Sequence, residues 1–130
     1  MRQFLLITLI LLSSSPAYAE WVAVSSIAQT GIALYVDPVT SHRKGNLVKM
    51  WHLLDFETRE TMAGDSYLSS KTLYEYDCAK ERMRQLAFTW FSNNMGTGSA
   101  VASNSQESKW TPVGPGRVAQ VLWKLTCSEN

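Results

Sequence analysis

The stretch YLSSKTLYEYDCAKERMRQLAFTWF, residues 67–91, holds two runs of alternating side chains on either side of a short charged segment. Tyr74, Tyr76 and Cys78 fall on one side of the first run, because successive side chains of a strand point to opposite faces. The second run, residues 83–91, would place Arg84, Leu86, Phe88 and Trp90 on one face. The two runs predict an antiparallel hairpin.

The segment between these runs allows two structures. Residues 79–86, AKERMRQL, have good helix propensity, so a short helix within them remains possible. The aromatic and β-branched residues on both sides favour strands instead. We therefore expect a tight turn at residues 79–81.

Further strands are predicted before this hairpin, over residues 21–26, 32–37 and 47–56. Pro38 is expected to end the second of them, because proline restricts the preceding residue and lacks an N–H donor. Residues 92–109 are rich in Ser, Asn and Gly and predict a long polar loop. Its MGTGS segment is expected to be a flexible turn, with a short edge strand near residues 99–102.

The last element differs in its periodicity. Its apolar residues recur at helical spacing: Val118, Val121, Leu122 and Leu125. Residues 116–127 therefore predict a helix that is opened by Pro115 and Gly116. Its apolar stripe is expected to pack on the sheet. The predicted fold class is α+β: an antiparallel sheet of about five to six strands with a C-terminal helix packed on it.

The first 19 residues are interpreted as a signal peptide. Arg2 precedes the apolar run of residues 4–12, which is too short to span a bilayer, and Ala17-Tyr18-Ala19 has the small-x-small pattern of a cleavage site. Cleavage is expected between Ala19 and Glu20. Residues 20–130 would then form a single domain.

The expected location of the mature chain is the periplasm or the outside of the cell. No cysteine lies near the cleavage site, which excludes the usual lipoprotein route, and no later segment is long and apolar enough for membrane insertion. The chain has 12 basic and 11 acidic residues, and loss of Arg2 leaves the mature domain without formal net charge. Such a domain lacks the basic surplus that nucleic acid or anionic lipid would attract.

Cys78 and Cys127 are the two cysteines of the chain. Because exported proteins meet oxidising conditions, we expect a disulfide between them that joins the end of a strand to the end of the helix. The alternative is a reactive thiolate at Cys78, helped by Arg82 and Arg84. No C-x-x-C spacing supports that alternative.

Catalytic and metal sites lack a supporting pattern. His42 lies in a predicted turn and His52 in a strand, without the spacing of a zinc site or a nucleophile with its base. Carboxylates such as Asp77 next to Arg82 and Arg84 are typical of cross-strand ion pairs. We therefore predict no catalytic, metal or cofactor-binding residue.

Several short motifs, in this order, resemble the surface-adhesin protein E-like family. They are Tyr35-Val36-Asp37-Pro38, Lys49-Met50-Trp51, Asp77-Cys78, Trp110, Pro112 and Cys127. The resemblance covers nearly all of residues 21–127. It implies an antiparallel sheet with a C-terminal helix, a disulfide between the two cysteines, and an adhesin that binds proteins. The namesake adhesin is lipid-anchored, whereas this chain has no lipidation cysteine near its cleavage site, so surface display would not use that anchor.

Two functional hypotheses follow. The first is a non-catalytic binding domain that contacts a protein or peptide through an apolar patch or an open sheet edge. The second is a periplasmic, envelope-associated structural protein that acts through self-association as a homo-oligomer. An enzyme would need a deep pocket that contains His52 or an ionisable cluster. No binding residue for the ligand is identified from the sequence.

Overall fold

The computed structural model describes residues 20–24, 31–114 and 118–128 of the chain. It contains an antiparallel sheet and a helix, as the sequence predicts. The strands are β1 (Val22–Val24), β2 (Ile32–Lys44), β3 (Leu47–Met62), β4 (Asp65–Asp77), β5 (Arg82–Phe91), β6 (Ala100–Asn104) and β7 (Thr111–Pro112). The helix α1 spans Val118–Ser128, and a short 3₁₀ turn spans Asn94–Gly96. The predicted signal peptide and the predicted start of the helix at Pro115 and Gly116 lie outside the described residues.

The six strands β1 to β6 lie side by side in chain order, and each pairs with the next in antiparallel register. The short strand β7 pairs with β5 next to β6. A meander of this kind needs only short connections between neighbours, which the turns at Gly45 and Gly64 provide. Both glycines have positive φ, which is costly for other residues.

The charged segment after β4 is a turn, as predicted. Residues 78–81 connect β4 to β5, and β5 begins at Arg82. Residues 79–85 therefore do not form a helix. The carboxylate of Asp77 accepts hydrogen bonds from the backbone N–H groups of Ala79 and Lys80, at 3.1 and 3.2 Å. These bonds stabilise the turn and outweigh the local helix propensity.

The prediction that Pro38 ends the second strand is wrong. Strand β2 continues to Lys44, and its register with β3 shifts between Asp37 and His42. In this segment β1 no longer pairs with β2, so β2 is an edge strand and Pro38 is exposed. Proline is tolerated at such edges and irregularities because no ladder hydrogen bond is lost.

The face assignment of the fifth strand is also corrected. Tyr74 pairs with Gln85 but Leu73 pairs with Ala87, so Leu86 is an extra residue in the ladder. One extra residue reverses which side chains share a face. Phe88 therefore lies on the same face as Gln85, and Arg84 lies on the opposite face.

The main core lies between α1 and one face of the sheet, which we call the helix face. Its buried members come from β1, β2, β3, β4 and α1: Val24, Leu34, Val36, Met50, Tyr76 and Leu122. Tyr74, Trp123 and Cys127 pack against this cluster. The core confirms that Tyr74 and Tyr76 share the helix-facing side of β4.

The helix is rotated relative to the prediction. Leu122 and Thr126 are its buried residues, whereas Val118, Val121 and Leu125 are 42%, 43% and 37% exposed. The side chain of Cys127 must point to the sheet to reach Cys78. This constraint turns the predicted apolar stripe partly away from the sheet.

The predicted disulfide between Cys78 and Cys127 is present, with the two Cα atoms 5.5 Å apart. It joins the end of β4 to the end of α1. Next to it, the indole Nε1 of Trp123 donates a hydrogen bond of 3.1 Å to the carbonyl oxygen of Asp77. The helix is therefore attached to the turn after β4 by one covalent and one polar contact.

The MGTGS segment is held by hydrogen bonds, which corrects the expectation of a flexible turn. Asp55 accepts hydrogen bonds from the side chain of Asn94 and the backbone N–H of Met95, at 3.1 and 2.7 Å. The buried hydroxyl of Ser69 donates to the carbonyl of Asn93 and accepts from the N–H of Gly96. The loop is thus attached to β3 and β4, and it fixes the start of β6.

Candidate functional site

The helix covers only part of the helix face, and the part that no described residue covers is a groove. A cavity of about 220 Å³ lies over β3, β4 and β5 beyond the end of the core. We call it the aromatic groove. Its apolar lining consists of Leu54, Phe56, Tyr67, Tyr74, Phe88 and Trp90. Three uncharged polar residues complete the lining: Ser70, Thr72 and Gln85.

The aromatic side chains of the groove contact one another across three strands. Phe56 of β3 meets Tyr67 of β4 edge to face, with ring centroids 5.7 Å apart. Tyr67 stacks on Trp90 of β5 at 4.4 Å, and Trp90 stacks on Phe88 at 5.2 Å. Such contacts fix the rings more firmly than aliphatic packing does. Phe88 and Trp90 are nevertheless only partly buried, so the row is accessible at its β5 end.

A second cavity of about 220 Å³, which we call the helix cavity, adjoins the groove. The two share Leu54, Thr72 and Tyr74. Val118 and Leu122 of α1 form one wall of the helix cavity, and Val118 leads onto the exposed apolar residues of the helix. None of the described residues that line either cavity carries a formal charge. This surface therefore suits apolar groups.

His52 lies at the bottom of the helix cavity and is 2% exposed. Its Nδ1 lies 3.0 Å from the carbonyl oxygen of Met50, which can only accept, so Nδ1 carries the proton. Its Nε2 lies 2.7 Å from the hydroxyl of Tyr76 and accepts from it. Both ring nitrogens are therefore occupied in the neutral form.

Burial favours the neutral forms of these two side chains. Desolvation lowers the pKa of His52 from 6.5 to about 4, although the hydrogen bonds to the backbone oppose this shift. Burial also raises the pKa of Tyr76, so its phenol stays protonated and donates to His52. The pair is a satisfied polar contact within an apolar core.

The opposite face of the sheet carries ion pairs. Arg82 Nε lies 2.9 Å from Asp77 Oδ2, and Arg84 Nη2 lies 2.8 Å from Glu75 Oε1. Both pairs join residues that are opposite each other in β4 and β5. The ring of Trp110 lies over both guanidinium groups, with its centroid 4.5 and 4.3 Å from their Cζ atoms. These charges satisfy one another and stabilise the hairpin, as predicted for Asp77 and Arg82.

Asp77 has the strongest set of partners in this group. Burial by itself raises the pKa of its carboxyl, but hydrogen bonds from Arg82 and from the N–H groups of Ala79 and Lys80 outweigh that effect. The pKa of Asp77 therefore lies below its ordinary value. The carboxylate remains charged and structural at neutral pH.

The remaining residues considered from the sequence are not brought together. His42 is exposed on the edge of β2 and lies apart from the buried His52. In the part of the chain that the structure describes, no three His, Cys, Asp or Glu side chains form a possible metal site. No helix within the described residues is long and apolar enough to cross a membrane.

Sequence reasoning missed the aromatic groove. The alternation of β5 identifies Phe88 and Trp90 as neighbours on one face, but the extra residue Leu86 hides which face that is. Tyr67 of β4 contacts Trp90 of β5, and this contact depends on the register between the two neighbouring strands. The clustering of aromatic residues around Phe88 was the available signal in the sequence.

The chain resembles known proteins in both sequence and structure. The profile of the family described as surface-adhesin protein E matches residues 21–128. A crystal structure of Haemophilus influenzae protein E has a TM-score of 0.68 at 11% identity, over 88% of this chain and 92% of that chain. A structure of protein E from non-typeable Haemophilus influenzae has a TM-score of 0.61 at 12% identity, over 87% and 86% of the two chains.

No curated protein sequence matches the chain. The structural likeness, at such low identity, shows the common fold. The family match extends from the residue before β1 to the end of α1 and includes both cysteines. The chain therefore belongs to the surface-adhesin protein E family.

Proposed function

We propose that the chain is an exported, non-catalytic binding protein of the adhesin type, which contacts a protein partner through the aromatic groove. The observation that carries this proposal is the uncharged aromatic groove, which adjoins the helix cavity and its exposed apolar residue Val118. Exposed apolar surface of this kind is typical of protein interaction sites. Membership of a family of surface adhesins supports the same function.

The proposed absence of catalysis is supported by the chemistry of the cavities. Among the described residues that line the aromatic groove and the helix cavity, His52 is the one imidazole, and both of its nitrogens already have partners. A general base needs a free nitrogen within reach of its substrate. The ionisable cluster of Asp77, Arg82 and Arg84 lies on the opposite face and is neutralised by its own ion pairs.

A protein partner suits the groove because its lining is apolar with hydroxyl and amide groups at the margin. Apolar side chains of a partner would lose water-exposed area against Phe88 and Trp90, and the margin could satisfy backbone groups of the partner. Aromatic residues in partly buried positions supply much of the binding energy in protein interfaces. We take Trp90 as the residue with the largest contribution.

A photo-crosslinking amino acid at Gln85 tests this function in the cells that make the protein. Gln85 lies at the margin of the groove, so we expect a covalent adduct with a second, different protein after illumination. The same amino acid at Thr61, which is exposed near the end of β3, is the matched control and should give no adduct. The readout is the mass and composition of the adducts.

Surface display is tested in parallel with protease added to intact cells. Digestion of the chain in intact cells supports the adhesin-type function. Protection in intact cells, with digestion only after the envelope is opened, would overturn it. Adducts at Gln85 that contain two copies of this chain would instead support the self-associating structural protein.

We further propose that residues 1–19 are removed between Ala19 and Glu20. The backbone nitrogen of Glu20 lies 3.4 Å from Oδ1 of Asp37, whose side chain is 1% exposed. Cleavage would convert this nitrogen into a terminal ammonium group beside a buried carboxylate. The ammonium group and the carboxylate of Asp37 would then form an ion pair.

This processing predicts both a mass and a stability difference. The intact mass of the exported protein should correspond to a chain that begins at Glu20. Adding one alanine before Glu20 moves the ammonium group away from Asp37 and should reduce the free energy of unfolding by about 1 kcal/mol. In an Asp37→Asn background the added alanine should have little effect. A mature terminus at another residue would contradict the proposed cleavage site.

A further inference from the structure

The two edges of the sheet differ in how they are protected. On one side, β1 has three residues, and the rest of that edge is the second half of β2. This half contains Pro38, a register shift and the basic residues Arg43 and Lys44. Short strands, prolines, irregular pairing and charges are the features by which natural sheets prevent the addition of another strand.

The other edge, β6, lacks proline and charge, although its pairing with β5 has one register shift, between Trp90 and Phe91. Residues 85–106 contain neither a charged residue nor a proline, and β6 lies within them. Strand β6 pairs with β5 on one side, and among the described residues no strand pairs with its other side. Its outer backbone groups are therefore available to a further strand.

The side chains of β6 leave the groove open from this edge. Ala102 is opposite Trp90, and Asn104 is opposite Phe88. The methyl group of Ala102 adds almost no bulk between Trp90 and the outer side of β6. Because neighbouring strands lie about 4.8 Å apart, a large side chain on an added strand could reach Trp90 over Ala102.

The edge is also held in position before any partner binds. The N–H of Ser92 donates to the carbonyl of Ser99 at 2.9 Å, which closes the loop between β5 and β6. The contacts of Ser69 and Asp55 attach the same loop to β3 and β4. A strand that is ordered in advance binds with a smaller loss of conformational entropy.

We propose that β6 is an acceptor edge for an extended segment of the partner protein. The backbone of that segment pairs with residues 100–104, and its alternate apolar side chains cover Trp90 and Phe88 at the end of the aromatic groove. Strand addition of this kind obtains affinity from backbone hydrogen bonds and specificity from alternate side chains. The inference rests on the proposed function, because it specifies how a protein would occupy the groove.

A fluorescent peptide of alternating phenylalanine and threonine is the probe that tests this inference with the purified exported protein. We expect it to bind and to slow amide hydrogen exchange at residues 100–104, with no change at the hairpin end around Thr61. A peptide of the same sequence with methylated backbone nitrogens cannot donate to the edge and should not bind. Equal binding of both peptides would overturn strand addition.

The matched variants are Ala102→Lys and Thr61→Lys. The first places an ammonium group on the route to Trp90 and should weaken binding of the peptide about tenfold or more. The second adds the same charge at a distant exposed position and should leave binding unchanged. Unchanged binding to Ala102→Lys would contradict the proposal.

The two proposals fail in different ways. If Gln85 crosslinks to a partner in cells while the peptide does not bind, strand addition fails and the binding function stands. If the peptide binds while Gln85 gives no adduct, the edge accepts a strand but the proposed function fails. The comparison of the two peptides on the unmodified protein does not depend on whether a variant folds.

Discussion

The double variant Cys78→Ala, Cys127→Ala should lose about 4 kcal/mol of its free energy of unfolding. The disulfide closes a loop with a sequence separation of 49, and its removal restores the corresponding freedom to the unfolded chain. Natural domains are stable by about 5–15 kcal/mol, so this loss is a large part of the total. Urea unfolding of the exported protein and the variant, monitored by tryptophan fluorescence, measures the difference.

The helix should respond most strongly, because only Leu122 and Thr126 of α1 are buried. Amide exchange along α1 should therefore accelerate more than exchange in β3 and β4. The matched control is Thr126→Val, since the hydroxyl of Thr126 has no hydrogen-bond partner among the described residues. That change keeps the shape and should be neutral or slightly stabilising. A loss below about 1 kcal/mol in the double variant would contradict a structural role for the disulfide.

Acidification from pH 7 to pH 4.5 should destabilise the domain by about 2–3 kcal/mol through His52. The pKa of this residue is about 4 in the folded chain and 6.5 as its ordinary value. At pH values between these two pKa values, His52 is protonated in the unfolded chain but remains neutral in the folded chain. The contribution of His52 to stability is therefore fully present above pH 6.5 and is lost as the pH falls towards 4.

None of the described residues that line the cavity around His52 offers a compensating charge. Tyr76 and Tyr74 face it from β4, and Val118 and Leu122 face it from the helix side of the cavity. His52→Gln should be less stable at pH 7, because it loses ring packing, but its stability should change much less between pH 7 and 4.5. His42→Gln is the matched control, because His42 is exposed, and it should retain the pH dependence of the parent. Equal pH dependence in His52→Gln and the parent would disprove this role.

Local patterns in the sequence predict the order and type of the elements. Alternation across Tyr74 and Tyr76 identified β4, and helical spacing identified α1, because both periodicities follow from backbone geometry alone. The disulfide followed from the export signal and an even cysteine count. The turn after β4 was correctly preferred to a helix, since the strands on both sides fix its ends.

The structural features that depend on the pairing between strands could not be predicted from the sequence. The extra residue Leu86 and the passage of β2 through Pro38 are consequences of register, which no single segment specifies. The helix stripe was misassigned because a covalent bond to Cys78, more than the apolar moment, sets the rotation of α1. The loop at MGTGS was misjudged because its anchors, Asp55 and Ser69, lie on distant strands.

The aromatic groove could not be predicted from the sequence for the same reason. In the sequence, each residue of the groove has the pattern of an ordinary core residue in its own strand. The pattern does not indicate that α1 leaves these residues uncovered. Trp90 stacks on Tyr67 only because β4 and β5 pair in this register. The open part of the helix face is thus a property of the assembled sheet.

The unequal edges of the sheet would also limit the stoichiometry of the proposed strand addition. A strand added at β6 finds pairing groups, whereas the opposite edge, with Pro38 and its register shift, cannot pass the pairing on to another molecule. Growth by edge pairing would therefore stop after one step, and chains could not polymerise head to tail into filaments. If β6 accepts a strand as we propose, each molecule would bind one partner segment through this edge.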